Sequence, residues 1–235
     1  MGTRNKEERP RDSPDAGKIE MPLHKIFNDA PKSFGADDIV GRFRSGMQLG
    51  GRPMALTEWR VTSGDPKVME KISKLYGGEV EEWETATEEN LQCLTTINSI
   101  NIHLKSVDAG LTLWGRGTTP IRSCDGITQR DDASSPCICP SDLKEHKAAA
   151  KAGTACSPSI RLLFRLDDDH DLGIFKFQSG SWQLAEAINP IEEAVKASDS
   201  SLPATLHLEQ VSWTTKTGEN RAFTKPVVEL TKVAA

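Results

Sequence analysis

Several common functional signals are missing from this 235-residue sequence. No apolar run approaches the roughly 18 residues that are needed to cross a bilayer. The charged N-terminus MGTRNKEERPRDSPDAG has no apolar stretch of the kind that a secretory signal requires. There is no G-x-S-x-G sequence, no phosphate-binding P-loop, no dinucleotide fingerprint and no cysteine–histidine arrangement that singles out a nucleophile. We therefore expect a cytoplasmic protein without a membrane segment, and no motif assigns it to an enzyme class.

Positive charge is also in short supply. The chain carries 29 Lys and Arg residues against 34 Asp and Glu residues, which gives a net charge of −5 at pH 7 and a pI of about 5.6. Non-specific binding to duplex DNA depends on clustered cations that neutralise phosphates. We therefore do not expect the protein as a whole to coat DNA.

The composition is polar for a globular chain, with 37% hydrophobic and 27% charged residues. The first twenty residues are rich in charged residues, proline and glycine and contain almost nothing to bury, which is typical of disorder. We predict a disordered N-terminal segment over residues 1–33. A single α+β domain is predicted over residues 34–232.

Alternating apolar residues indicate that this domain is rich in β-strands. The clearest helix is GDPKVMEKISKLYGG, where Asp65 is a natural N-cap, Pro66 fits the first helical position and Gly77 supplies a left-handed stop. Two β-hairpins are predicted, at 160–177 and at 204–230. Pro226 lies inside the last strand, which favours an edge position. The expected fold is α+β, with a β-rich, mostly antiparallel core, two or three helices and a zinc-clipped loop insert.

Four of the five cysteines fall in one polar stretch with the spacing C-x12-C-x-C-x16-C. They are Cys124, Cys137, Cys139 and Cys156. Zn²⁺ takes four ligands in a tetrahedron and accepts thiolates, and cytoplasmic thiols stay reduced. We therefore predict a structural zinc site in an insert at about 120–158. Unrelated buried thiols or disulfides are the alternatives, and His146 or Asp125 could replace one thiol.

Two further clusters have less specific sequence signals. The run from Asp167 to Asp171 lies between two predicted strands, and a solvated hairpin tip explains it better than a metal site. His103 and His207 fit exposed strand faces. Four arginines lie near a tryptophan and could contact a partner or nucleic acid, although structural salt bridges would also explain them. These residues are Arg42, Arg44, Arg52, Arg60 and Trp59.

Ordered blocks of the sequence resemble one family of phage proteins. The stretch VGRFRSGMQLGGRPMALTEWRVTSGDPKVMEKISKLYGG is followed by CDG, by CICP, by C-x-P-x-IRLLFRL and by LGIFKFQSGSWQLAEAI. In this order the blocks resemble the recombination directionality factors that act with the large serine integrases of actinobacterial phages and integrative elements. The resemblance runs from about Phe34 to Leu230 and leaves out the first twenty residues.

This resemblance implies a regulatory protein without catalytic activity. A serine integrase alone joins phage and bacterial attachment sites and then stops, whereas the factor binds the integrase and lets it recombine the hybrid sites. Contact is implied with the C-terminal coiled-coil subdomain of the integrase, and attachment-site DNA is reached only through the integrase. The resemblance also carries over the four cysteines as metal ligands, and the arginine–tryptophan cluster as part of a shared module.

Two other functions fit parts of the sequence. A metal-dependent nuclease or hydrolase would need an open metal site built from residues such as Asp125, Asp142, Asp168, His146 and His170. A single-stranded-DNA-binding protein of phage DNA metabolism would use the arginines together with Trp59.

Overall fold

The computed structural model describes residues 39–231, except 116–118, 131, 133–134 and 216. The predicted disordered segment 1–33 lies outside these residues. The described strands are β1 (Ile39–Leu49), β2 (Arg52–Ser63), β3 (Val80–Glu82), β4 (Leu91–Leu94), β5 (Ser99–Trp114), β6 (Pro120–Cys124), β7 (Ser157–Leu166), β8 (Ile174–Ser179), β9 (Leu202–Thr214) and β10 (Asn220–Leu230). The helices are α1 (Pro66–Tyr76), α2 (Leu143–Lys151), α3 (Trp182–Ala187) and α4 (Asn189–Ala197), with a 3-10 turn at His170–Leu172.

All ten strands join one sheet in the order β10-β9-β5-β7-β8-β1-β2-β4-β3, with β6 paired to β5. Every described pairing is antiparallel except the one between β1 and β8. The sheet curls, because β9 and β10 also approach β2. The prediction of a β-rich, mostly antiparallel core is therefore confirmed, and the division of the chain into a tail and one domain stays a prediction.

Aromatic side chains from four strands fill the concave interior. The Phe43 ring packs against Trp59, Phe164 and Phe175, with ring centroids 5.8, 5.6 and 5.5 Å away. Each of these four side chains is at most 1% exposed. Edge-to-face contacts of this kind add to the free energy gained by burying the apolar area. Alternation along the strands produces the arrangement, since every second residue of β7 from Pro158 onwards is buried.

Both predicted hairpins are confirmed, β7 with β8 and β9 with β10. Pro226 lies in β10, an edge strand of the sheet, as its missing N–H requires. The apolar stretches 99–104 and 111–114 are parts of one 16-residue strand, β5. This long strand pairs with β7 on one side, and with β9 and then β6 on the other.

The prediction of two or three helices is wrong, because the described residues contain four. Pro190 separates α3 from α4, since proline has no N–H to continue the preceding helix. Asn189 does not cap α4, although asparagine is a common cap; it lies inside the helix, and Ile188 occupies the cap position without a side-chain hydrogen bond. The α1 prediction is confirmed: Asp65 Oδ1 accepts a hydrogen bond from the Lys67 N–H at 2.8 Å, and Gly77 ends the helix at φ 72°.

The cap of α1 gives a direct test of this local structure. Replacing Asp65 with alanine leaves the Lys67 N–H without its acceptor and should lower the free energy of unfolding by about 1 kcal/mol. Asp65→Asn should recover most of the loss, because an asparagine side chain also accepts from the first turn. Urea unfolding of the two variants measures the difference. Equal midpoints for Asp65→Ala and the parent would show that the cap contributes nothing.

Candidate functional site

The register of β5 brings the two outer cysteines of the insert together. Leu111 of β5 pairs with Cys124 at the end of β6 on one side and with Pro158 near the start of β7 on the other. Cys156 precedes β7 by one residue, so both ends of the insert lie at the same level of the sheet. Cys124 and Cys156 are each 0% exposed, and this burial places their thiols under the insert rather than at its surface.

Three sulfur atoms form a compact cluster at this point. The Sγ atoms of Cys124, Cys139 and Cys156 all lie within 4.8 Å of one another, a spacing that could hold a metal ion. Cys137 adjoins them: the Cys139 N–H points at Cys137 Sγ at 3.4 Å, and the thiols of Cys137 and Cys124 interact by a hydrogen bond. All four cysteines are free thiols, so the disulfide alternative is wrong for this structure.

Hydrogen-bond donors surround the sulfur atoms. The Cys156 N–H lies 3.4 Å from Cys139 Sγ. Arg122, on β6, directs Nε to Cys156 Sγ at 3.4 Å and Nη2 to Cys139 Sγ at 3.5 Å. Donors of this kind stabilise sulfur in its thiolate form and orient metal ligands.

Contacts within the cluster lower the pKa of one thiol and raise the pKa values of two others. Hydrogen bonding from the Cys124 thiol, followed by that from Arg122, lowers the pKa of Cys156 to about 5, although burial acts in the opposite direction. The same contact with Cys156, together with burial, raises the pKa of Cys124. Burial also raises the pKa of Cys139. The surroundings of Cys156 therefore favour its thiolate, which is the form of cysteine that binds metal.

His146 and Asp125 are not in a position to replace a thiol. His146 Nε2 lies 2.8 Å from the Cys156 carbonyl oxygen, which only accepts hydrogen bonds, so this nitrogen carries the proton. The buried Asp125 carboxylate accepts from the N–H groups of Ile127 and Thr128 at 2.8 and 2.7 Å. Both residues shape the insert, and the His146 ring also packs edge-on against Trp182 of α3.

The predicted contact residues differ in their surroundings. Trp59 is 0% exposed and lies in the aromatic core, so the expectation that it contacts a partner or nucleic acid is wrong for this structure. Arg42 and Arg44 both pair with Glu89, which supports the salt-bridge alternative for these two side chains. Arg52 is exposed, at the start of β2.

A different tryptophan, Trp83, forms the surface next to these arginines. Arg60 stacks over its ring with the guanidinium carbon 4.3 Å from the centroid, and Arg44 lies 5.9 Å away. The ring is fixed by a 2.6 Å hydrogen bond from Nε1 to the Glu89 carbonyl oxygen. Sequence reasoning missed Trp83 because it lies among carboxylates in a short irregular segment. Its place in this surface is visible only in the structure, where the half-buried ring stacks against Arg60.

Beside Trp83, the hairpin of β1 and β2 projects as an arm, which we define as residues 46–55. It begins at a register shift between Arg44 and Gly46 and turns at Gly50 and Gly51, whose φ values of 57° and 77° suit a two-residue hairpin turn. Leu49 is 62% exposed and Met54 39%. The inner side of the arm and the Trp83 ring border an open depression of about 750 Å³.

The residues that a hydrolytic metal site would need do not come together. Asp142 caps α2, with its Oδ1 accepting the Glu145 N–H at 2.9 Å. Asp168 accepts the Tyr76 hydroxyl at 2.9 Å, far along the sheet from the sulfur cluster. Asp125, Asp142, Asp168 and His146 therefore serve separate local structures, and His170 lies with His103 and Asp167 rather than with any of these four. None of the described helices is long and apolar enough to span a membrane.

Fold and site together define a β-sheet protein with a metal-competent thiol centre in an insert and an arginine–tryptophan surface beside a projecting arm. The chain belongs to the Gp3-like family, described as recombination directionality factor-like, whose family model matches residues 40–231. Membership makes it an accessory factor of site-specific recombination with a recombinase as its partner. No solved structure matches the chain.

Proposed function

We propose that this protein binds a phage-encoded large serine integrase in the cytoplasm of a bacterial host and switches it from integration to excision. The family match over residues 40–231 carries the proposal. On this proposal the factor acts by protein–protein contact, through the C-terminal coiled-coil subdomain of the integrase. It reaches attachment-site DNA only through the integrase, in keeping with its net charge of −5.

A switch of this kind needs only a difference in affinity. The factor must bind the integrase arrangement on hybrid sites more tightly than the arrangement that blocks them. Moving an equilibrium from 1:99 to 99:1 requires a discrimination of about 10⁴-fold, or roughly 5.5 kcal/mol. Two or three well-packed anchor residues in one interface contribute that much.

We propose the arm and the Trp83 depression as the integrase-binding surface. Arginine, tryptophan and methionine are the residue types that recur at the centres of protein interfaces. Here the half-buried Trp83 is supported by Arg60, which is only 5% exposed, and lies beside Arg44, while Arg52 and Met54 face solvent on the arm. The guanidinium–ring stack holds its side chains in place before binding, so less conformational entropy is lost when a partner arrives.

We further propose that Cys124, Cys137, Cys139 and Cys156 bind a structural Zn²⁺. A compact sulfur trio, an adjoining fourth thiol, N–H donors to sulfur and the charge of Arg122 fit a thiolate site. The ion would supply cross-linking of the insert rather than an open position for substrate, because four sulfur ligands complete its coordination. With the ion bound, the four cysteines would hold the insert against α3 and the end of β5.

The decisive test is recombination between hybrid attachment sites by the purified cognate integrase. Adding the factor should convert an inactive integrase into one that recombines the two hybrid sites, and should inhibit recombination of the phage and bacterial sites. An integrase from an unrelated phage serves as the control and should stay unaffected. If the cognate integrase remains inactive on hybrid sites with the factor in excess, the proposed function is wrong.

A further inference from the structure

A second group of metal-ligating side chains lies outside the cysteine insert, at the end of β7. It consists of His103, Asp167 and His170, whose nitrogen and oxygen atoms lie within 4.8 Å of one another. His103 Nε2 is 2.6 Å from Asp167 Oδ1, and His170 Nε2 is 3.9 Å from the same oxygen. The centroids of the two imidazole rings lie 4.2 Å apart, and the ring planes are tilted by 59°.

The sheet brings these three residues together from distant parts of the sequence. His103 of β5 pairs with Arg165 of β7, one strand position away from the pair formed by Ile102 and Leu166. Ile102 and Leu166 are buried, so His103 projects from the opposite, outer face, where Asp167 also emerges. The sequence-based expectation of an isolated histidine on a strand face therefore missed a cross-strand partner.

The turn that carries Asp167 and His170 is fixed at several points. The Asp167 N–H donates to the Asn101 carbonyl oxygen at 3.1 Å, and Arg165 donates to the His170 carbonyl oxygen. Asp168 accepts from the Tyr76 hydroxyl, and Asp169 pairs with Lys71 at 3.2 Å. These contacts use the neighbouring carboxylates for structure and leave Asp167 and His170 facing His103.

The turn also ends at a position that only glycine fits. Gly173 has φ 122°, and a Cβ there would lie 2.6 Å from Val40 Cγ1. The chain between β7 and β8 is therefore held at both ends. Three potential ligands on such a turn lose little conformational entropy when they close on an ion.

We propose that His103, Asp167 and His170 form a solvent-open site for Zn²⁺ or a similar divalent transition-metal ion. Two imidazoles and one carboxylate are the ligand set that such ions accept. At a metal–ligand distance of about 2.0–2.1 Å, adjacent ligand atoms of a tetrahedron lie about 3.3 Å apart. The two distances to Asp167 Oδ1, 2.6 and 3.9 Å, bracket this value, and the two histidine nitrogens lie within 4.8 Å of each other, so small side-chain shifts would bring the three ligands to this spacing.

This site differs in chemistry from the cysteine cluster. It contains no sulfur and presents three ligands, so one coordination position remains for water or for a side chain of a bound partner. Its ligands are 22% (His103), 52% (Asp167) and 47% (His170) exposed, which allows the ion to enter and leave directly from solvent. The proposal does not depend on the recombination function, because it rests on these three residues alone.

Zinc titration of the full-length chain, followed by NMR of its five histidine rings, tests the site. With the cysteine cluster already loaded with one equivalent of Zn²⁺, a second equivalent should perturb the ring nitrogens of His103 and His170. The rings of His146 and His207 should stay unchanged. A second equivalent that leaves the His103 and His170 signals in place, or shifts all rings alike, would overturn the proposal.

Matched variants separate this site from non-specific binding. His170→Ala should lower the bound zinc by one ion per chain relative to the parent, measured by elemental analysis after gel filtration. His207→Ala, which removes a half-buried histidine of β9 outside the cluster, should keep the parental count. Cobalt substitution adds a spectroscopic readout. Cobalt bound at this site should absorb visible light without a sulfur-to-metal charge-transfer band, and His170→Ala should remove that absorption. An unchanged spectrum and ion count in His170→Ala would exclude the site.

Discussion

Replacing Cys156 with serine should unfold the insert and abolish activation of the integrase on hybrid sites. Cys156 provides the sulfur whose pKa is lowered to about 5; its N–H donates to Cys139 Sγ, and its Sγ accepts from Arg122 Nε. Metal binding to a structural thiolate site contributes on the order of 10 kcal/mol to folding. Losing one ligand removes most of this contribution, which is comparable to the whole stability of a domain. Circular dichroism, zinc content and hybrid-site recombination measure the three expected losses.

Cys93→Ala is the matched control for this prediction. Cys93 is also 0% exposed, but it lies on β4, and its Sγ contacts the Gly77 carbonyl oxygen at 3.4 Å. Its loss should cost about 1 kcal/mol of stability without changing the zinc content. A Cys156→Ser protein that folds, binds zinc at the parental level and activates the integrase would contradict the structural-zinc proposal. The same holds for Cys137→Ser, and that variant tests whether Cys137 completes the ligand set.

Charge reversal at the tip of the arm should separate folding from partner binding. Arg52 is exposed on the arm, so Arg52→Glu should leave the melting temperature within about 1 °C of the parent, as surface substitutions usually do. If Arg52 is an interface anchor, its loss weakens binding by about 2 kcal/mol or more, roughly 30-fold. Titration of the factor against integrase in the hybrid-site assay should show this shift in the concentration needed for half-maximal excision.

Lys67→Glu is the control for the arm variant. Lys67 lies in the first turn of α1, which follows the opposite end of β2, and a carboxylate there suits the helix dipole. Its activity should match that of the parent. Trp213→Ala adds a second comparison, because Trp213 is 46% exposed on the β9–β10 hairpin. If Trp213→Ala weakens excision while Arg52→Glu does not, the integrase binds the other edge of the sheet and the arm proposal is wrong.

Local patterns predicted much of this fold. The cap at Asp65, the stop at Gly77, the two hairpins and the edge position of Pro226 each depend on neighbouring residues, and each is present in the structure. The spacing of the cysteines likewise indicated that they meet. Cys124 and Cys156 do so because they flank one strand, β5, at the same level.

Long-range pairing explains the failures. Trp59 and Trp83 are both tryptophans near arginines, but only the curled sheet decides that the first is buried in the core and the second lies against Arg60. His103 meets Asp167 because β5 is antiparallel to β7 in one particular register. The alternation of Ile102 and Leu104 indicates the face on which His103 lies, but no local signal indicates which residues of the chain lie across from it.

Because Cys124 and Cys156 lie on either side of β5, the pairing of the sheet does not depend on the length of the insert. Both anchor points are set by strand pairing, so the chain between them closes a loop whose ends are already fixed in space. Doubling the length of such a loop costs only about 0.6 kcal/mol in closure entropy. We therefore expect that changes in the length of this segment that leave Cys137, Cys139 and α2 in place let the ten strands keep their register. Within those limits the insert can differ in length without any change to the sheet.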